Sequence, residues 1–186
     1  MPAPEEAARR EADPREAGPR EADPLAWSQS QAAQLRRLAG ETPTAVDWPG
    51  VIAEIDAVGV AELNATRILL RQAMALLLQL RGWPEHADRP LWQIALGGAL
   101  ADLAIRLTSS IGLPPTSEIR PPPTSAIRPL LDLGALYQQA RGQFAGVALD
   151  GQLPRPFPAA CPFTLDDLLH GDRAHLDTLL APNEDL

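Results

Sequence analysis

Between Val60 and Arg81 apolar residues fall on nearly every side of a helix: Leu63, Ile68, Leu69, Leu70, Met74, Leu76, Leu77, Leu78 and Leu80. A helix of that kind has to be covered by other elements. Ahead of it, Asp47 is a good N-cap, followed by Trp48 and Pro49 in the first turn, and Ile52, Ile55 and Val58 share one face. Gly59 either ends this second helix or only bends it into the long apolar one, which Gly82, Trp83 and Pro84 then terminate. A first, short amphipathic helix is predicted from Ser28, which makes a capping box with Gln31, to Gly40, with Leu35 and Leu38 on its apolar side.

A third helix starts near Asp88 and Pro90 and runs to about Ser110, with Leu96, Leu100, Leu103 and Leu107 at helical spacing. Its Gly97-Gly98 pair weakens it but lets a neighbour approach closely. The fourth runs from roughly Pro129 to Leu149, with a seam of Leu133, Leu136 or Tyr137, Ala140, Phe144 and Val147. Thr164 and Asp167 make a capping signal for a short helix from Leu165 to His170. Alternating strand patterns longer than a few residues are missing. The expected fold is therefore all-α: a helical bundle of four main helices plus a short C-terminal helix, packed antiparallel around the central one.

Outside these stripes the composition changes. Residues 1–24 read as a disordered tail rich in Ala, Glu, Arg and Pro, with a repeated Arg-Glu-Ala-Asp/Gly-Pro motif starting at Arg10, Arg15 and Arg20. A second duplication, Pro114–Pro121 followed by Pro122–Pro129, marks 114–129 as a proline-rich loop insert. Replication slippage in exposed segments accounts for both, because lengthening a loop costs little closure entropy; a polyproline-type docking ligand is the functional alternative. The bundle domain is thus expected over 25–171, with 172–186 a frayed C-terminal tail.

Composition removes several chemistries. All 16 basic residues are Arg and the chain has no Lys, which excludes Schiff-base and pyridoxal-phosphate chemistry and the lysine-dependent phosphate cradles. Codon bias in a GC-rich genome explains the all-Arg usage without a functional need for guanidinium groups. A net charge of −8 disfavours nucleic acid as a partner. The single Cys161 cannot form an intrachain disulfide, the N-terminus lacks the apolar core of a signal peptide, and the longest apolar run, Ala73 to Leu78, is far short of the ~20 residues of a spanning helix. The default expectation is a cytoplasmic protein that does not enter membranes.

The groups able to carry chemistry are scattered. Cys161 lies just ahead of a helix N-terminus, where a thiol can become nucleophilic, yet Pro158, Pro162, Phe157 and Phe163 around it suggest a packed clamp. His170, Asp172, His175 and Asp177 form a group of metal-capable residues without a zinc-helix spacing, and His170 before Gly171 reads more simply as a helix C-terminus. Glu54, Asp56 and Glu62 lack the Glu-x-x-His pattern of di-iron bundles and read as a solvated or intersubunit face. Trp27, Trp48, Trp83 and Trp92 sit near helix ends, as core-edge packing or as interface anchors. No catalytic residue, cofactor or metal is assigned.

Along the chain stand Asp23-Pro24-Leu25-Ala26-Trp27 with Gln31-Ala32 and Leu35-Arg36; Ile52–Gly59, containing Glu54 and ending in Val58-Gly59; Trp92; Tyr137–Arg141; and Phe157–Thr164 with Leu168-Leu169, of which the Cys161-Pro162-Phe163-Thr164 block is the most specific. Together these stretches resemble a bacterial family catalogued as domain of unknown function twenty-nine. The chain departs from its relatives at Gln79-Leu80-Arg81-Gly82, where they tend to have a His-Leu-Leu-Lys-like run, and at Gly97-Gly98-Ala99-Leu100, in place of an Arg-rich third helix. The resemblance implies a small soluble helical protein with no established activity or cofactor, in which Trp27, Glu54, Gly59, Trp92, Tyr137, Arg141, Cys161, Pro162 and Thr164 are motif residues of structural role. The residues themselves point to a non-enzymatic protein-interaction or oligomerisation module. The alternatives are a cryptic enzyme or a small-ligand or metal binder using Cys161 or the 170–177 group, and an antitoxin-like regulatory partner presenting an acidic face.

Overall fold

The computed structural model describes residues 23–41, 46–107 and 127–180. Among them are six α-helices and no strand: α1 (Pro24–Glu41), α2 (Trp48–Gly82), α3 (Arg89–Leu107), α4 (Leu133–Gly142), α5 (Leu165–His170) and α6 (Arg173–Leu179), with a 3-10 turn at Arg128–Leu130 ahead of α4. The all-α expectation holds. None of these helices is long and apolar enough to cross a membrane. The tail expected over 1–24 lies outside the described residues except for its last two, and so does all but the end of the proline-rich insert.

The chain divides into two compact units, whose described parts are residues 23–41 with 46–59, and residues 60–107 with 127–180. In the first, α1 starts four residues earlier than its capping-box pattern suggests. Asp23 caps it by accepting from the Ala26 N–H at 2.9 Å, with Pro24 in the first helical position, where its missing donor costs nothing. Ser28 is instead inside the helix, buried, with its hydroxyl turned back to the Leu25 carbonyl at 2.9 Å. A backbone that already has a cap at Asp23 leaves Ser28 free to pack. Asp47 does cap α2, accepting from the Gly50 N–H at 3.1 Å.

Gly59 neither ends nor breaks α2, which is continuous to Gly82. It is buried against α1: a Cβ built there would lie 2.3 Å from Ser28 Oγ, 2.7 Å from Leu25 Cδ1 and 3.3 Å from Leu25 Cα. Glycine is required for the approach of one helix to another, not for a turn. An ion pair between Arg36 and Asp56 joins the same two segments.

The second unit is built on the apolar part of α2. Leu70, Ala73, Met74, Leu77 and Leu78 are fully buried, together with Leu103 of α3, Tyr137 and Ala140 of α4, and Leu168, Leu176 and Leu180. α4 is shorter at both ends than the predicted fourth helix. Asp132, not Pro129, is its N-cap, accepting from the Ala135 N–H at 2.9 Å, and it stops at Gly142. Phe144 and Val147 fall in turns beyond it, and Gly146 has a left-handed φ of 73°. Leu149 and Gln152 then exchange two backbone hydrogen bonds around Asp150 and Gly151, whose φ values of 49° and 77° make a tight hairpin turn. An Asp-Gly pair is the strongest local signal for that turn, and it was open to reading in the sequence.

The C-terminal expectation needs the larger correction. Thr164 and Asp167 form the predicted capping box and α5 ends at His170, but residues 173–180 are not frayed. Asp172 caps a further helix, α6, and its Leu176 and the following Leu180 are buried in the core. Two apolar side chains at i and i+4 give a short segment one face to bury, which is enough to dock it.

Candidate functional site

The motif residues of the C-terminal half converge. α4 presents Tyr137, Gln138 and Arg141 to the segment 157–164, where they donate to two of its carbonyls. The Tyr137 hydroxyl donates to Pro158 O at 2.9 Å, Gln138 Nε2 to Ala159 O at 2.6 Å, and Arg141 Nη1 to Ala159 O at 3.0 Å. The Tyr137 ring meets Phe163 edge-on at 6.3 Å. A chain segment rich in proline cannot form a ladder of its own, so side chains must supply its hydrogen bonds. Further along, Phe157 packs on Phe144 at 6.1 Å and Phe144 on Trp83 at 5.7 Å, while Trp83 Nε1 donates to Gln152 O at 2.8 Å. Gly82 gives way to this segment: a Cβ there would come within 3.0 Å of both Phe157 and Pro154.

Cys161 sits inside this latch. It is half-buried, its Sγ is 3.5 Å from the Phe163 carbonyl, and burial pushes the thiol above its ordinary pKa. A protonated, packed thiol lacks the thiolate character of a nucleophile. Burial likewise pushes the Tyr137 hydroxyl up to about 12, against the lowering effect of Arg141. Pro162 is half-buried beside it and Thr164 caps α5, so the most specific motif block ends by starting a helix.

The 170–177 group is not brought together as a site. Asp172 is spent on capping α6, accepting from the His175 N–H at 2.8 Å, Asp177 pairs with Arg173 at 3.0 Å, and His175 Nε2 lies 2.8 Å from Asp167 Oδ1. Among the described residues no three His, Cys, Asp or Glu side chains are grouped to hold a metal. Asp167, held by the Thr164 hydroxyl, by His175 and by the Thr164 N–H, is lowered from the ordinary 3.8 to about 2. Asp56 and Glu62 are engaged by Arg36 and Arg106 respectively, whereas Glu54 is exposed and makes no ion pair or side-chain hydrogen bond among the described residues.

Of the tryptophans, Trp83 is buried, and Trp27, Trp48 and Trp92 are half-buried. Trp92 stacks on His86 at 4.7 Å, and His86 Nε2 lies 3.3 Å from Asp150 at the hairpin turn. None of them is an exposed aromatic anchor.

What does remain open lies on other residues. One face of α3 delivers Leu96, Ala99, Leu103 and Leu107 to the core, but a second stripe, Leu91, Ile94, Gly98, Ala101 and Ile105, faces outward. Its three large members are 63%, 74% and 56% exposed. The sequence carries a signal for it, since the spacing of 3, 4, 3 and 4 is that of a coiled-coil seam running beside the stripe through Leu96 and Leu103. Two clefts lie elsewhere on the described surface. One, of about 300 Å³, is mostly apolar and lies between Gln93, Leu96, Gly97 and Leu100 of α3 and Gly171, Arg173 and Leu176. The other, of about 270 Å³, lies between α2 and α4 and is lined by Arg67, Arg71 and Asp132 beside Ile68 and Leu136.

Six helices and no strand among the described residues define an all-α protein. The sequence profile described as "Domain of unknown function DUF29" matches residues 21–173, and the chain belongs to that family. Its structure is similar to the crystal structure of an alpha-helical protein of unknown function from Rhodospirillum rubrum, with a TM-score of 0.68 and 23% identity over 89% of this chain and 99% of that one. At that identity the likeness is one of fold. No curated protein matches the chain.

Proposed function

We propose that the chain is a non-enzymatic protein-interaction module that self-associates through the outer face of α3. The observation that carries this reading is the stripe Leu91, Ile94, Gly98, Ala101 and Ile105, apolar over its whole length and left to solvent. A helix apolar on two faces is normally covered on both. The stripe is also close to symmetric about Gly98. In an antiparallel pair of copies, Leu91 of one lies opposite Ile105 of the other, Ile94 lies opposite the small Ala101, and the two glycines allow the axes to approach. A Cβ at Gly98 would have no neighbour within 4 Å, so the space beside that glycine is open.

One helix pair buries less than the roughly 1,200–2,000 Å² of a standard interface. The dimer should therefore be a reversible one in the micromolar range. Sedimentation equilibrium of the full chain, from low micromolar to near-millimolar concentration, should show a monomer–dimer equilibrium. The Ile94→Glu variant should be monomeric throughout with an unchanged circular dichroism spectrum. A wild-type monomer across the whole range would overturn the reading.

A further inference from the structure

The cleft between α2 and α4 has a chemistry of its own. Arg67 and Arg71 lie four residues apart and so share one stripe of α2, where two like charges repel each other. Arg67 is tied down, since its Nη2 donates to the Leu130 carbonyl at 3.2 Å. Arg71 makes no ion pair or side-chain hydrogen bond among the described residues, although it is half-buried. Arg36, Arg106, Arg128 and Arg173 are each paired with a carboxylate, and of the arginines without such a pair Arg71 lines this cleft. In a chain with a net charge of −8, a guanidinium left over in a concave site is conspicuous.

Across the cleft, the carboxylate of Asp132 is engaged as the α4 cap, and its charge offsets one of the two arginines. The cleft thus keeps the equivalent of a single positive charge. Ile68, which is 54% exposed, and Leu136 supply an apolar wall, and the side-chain amide of Gln139 is exposed and without a partner among the described residues. A volume of about 270 Å³ is at the small end for ligand sites.

From these features we propose that the α2–α4 cleft binds a small organic monocarboxylate with a short apolar body. The fork of Arg71 takes the carboxylate, Gln139 supplies a further donor, and Ile68 with Leu136 covers the body. A single negative charge matches the site, whereas the second charge of a phosphate would face Asp132. The site is separate from the outer stripe of α3 and does not depend on self-association.

The test is an NMR titration of the ¹⁵N-labelled full chain with benzoate, with benzamide as its uncharged counterpart, and with inorganic phosphate. Benzoate should cause saturable shifts of the Ile68, Ala135 and Gln139 amides, and both other probes should bind at least about tenfold more weakly. Arg71→Gln should weaken benzoate by about tenfold or more with the helical spectrum unchanged. Gln139→Glu, an exposed substitution that puts a second carboxylate in the cleft, should likewise weaken benzoate by about tenfold or more, and its undiminished binding would overturn the proposal should Arg71→Gln fail to fold. Ile94→Glu should bind benzoate like the wild type, which separates this proposal from dimerisation. Absence of saturable shifts, benzamide binding as well as benzoate, phosphate binding as well as benzoate, or undiminished binding by a folded Arg71→Gln would each overturn it.

Discussion

Replacing Gly59 by Ala sets two effects of known size against each other. In the interior of a helix Ala is favoured over Gly by about 1 kcal/mol, so at an open position the substitution would stabilise α2. Here the new methyl would lie 2.3 Å from Ser28 Oγ and 2.7 Å from Leu25 Cδ1. Neither neighbour can swing clear at no cost, because both residues are buried and the Ser28 hydroxyl would have to give up its bond to Leu25 O at 2.9 Å. The Leu25 Cα at 3.3 Å is backbone and moves only with α1 itself. Overpacking costs about 1–3 kcal/mol, and contacts of 2.3 and 2.7 Å against buried neighbours place this site in the upper half of that range, so the net expectation is a loss of about 1–2 kcal/mol once the helical gain is subtracted. For a chain of this length that corresponds to a fall in Tm of about 2–8 °C. Urea and thermal unfolding followed at the helical circular-dichroism band would measure it. Ser28→Ala removes the nearest obstacle, so the double variant should recover part of the loss, with a favourable coupling of at least about 0.5 kcal/mol. An unchanged or raised Tm for Gly59→Ala alone would show that α1 and α2 are not in the contact described.

Tyr137→Phe removes the hydroxyl that reaches Pro158 O at 2.9 Å; it should cost about 0.5–1.5 kcal/mol in urea unfolding, and no loss would mean that the carbonyl finds water instead. Asp167 should report on acid stability. Its carboxyl is lowered from 3.8 to about 2 in the fold, so its contribution is complete above the unfolded value and is lost as pH falls through the folded one. NMR of the α5 amides between pH 5 and about 1.5 should show the capping box opening in that window, and Asp167→Asn should shift the opening away from it; a wild-type α5 that titrates near 4 would contradict the assignment.

The helical class and the main helix positions were legible because their causes are local. The apolar run in α2, the cap at Asp47 and the Thr164–Asp167 box act within a few residues, and the structure places helices on all of them. The motif block Phe157–Thr164 was legible as a packed clamp, with the prolines and aromatics that now meet Tyr137 and Phe144. Local signals failed where two of them competed. Ser28-Gln31 and Asp23-Pro24 are both sound helix starts, and burial of Ser28 against Gly59 settled the choice in favour of the earlier one. Along the predicted fourth helix, the turn formed by Asp150-Gly151 and the left-handed Gly146 outweighed a helical seam that ended in Phe144 and Val147.

By itself, then, the sequence determined that this chain is built of helices, where α2, α3 and α5 begin, and that chemistry needing a lysine is not available to its residues. Tertiary structure alone decided which faces are packed together and which are left outside. Whether Gly59 is a hinge or a contact depends on what stands opposite it, and Leu25 and Ser28 come from a different helix. Leu176 and Leu180 form too short a stripe to predict a docked helix until a core exists to receive them. Arg67 and Arg71 on α2 acquire meaning only when α4 brings Asp132 and Gln139 to face them. In α3 both apolar stripes are present in the sequence, but only one fits inside a single chain, and periodicity cannot say which is left outside. Periodicity and capping are properties of a helix, whereas burial and convergence are relations between helices, and those relations exist only once the chain has packed.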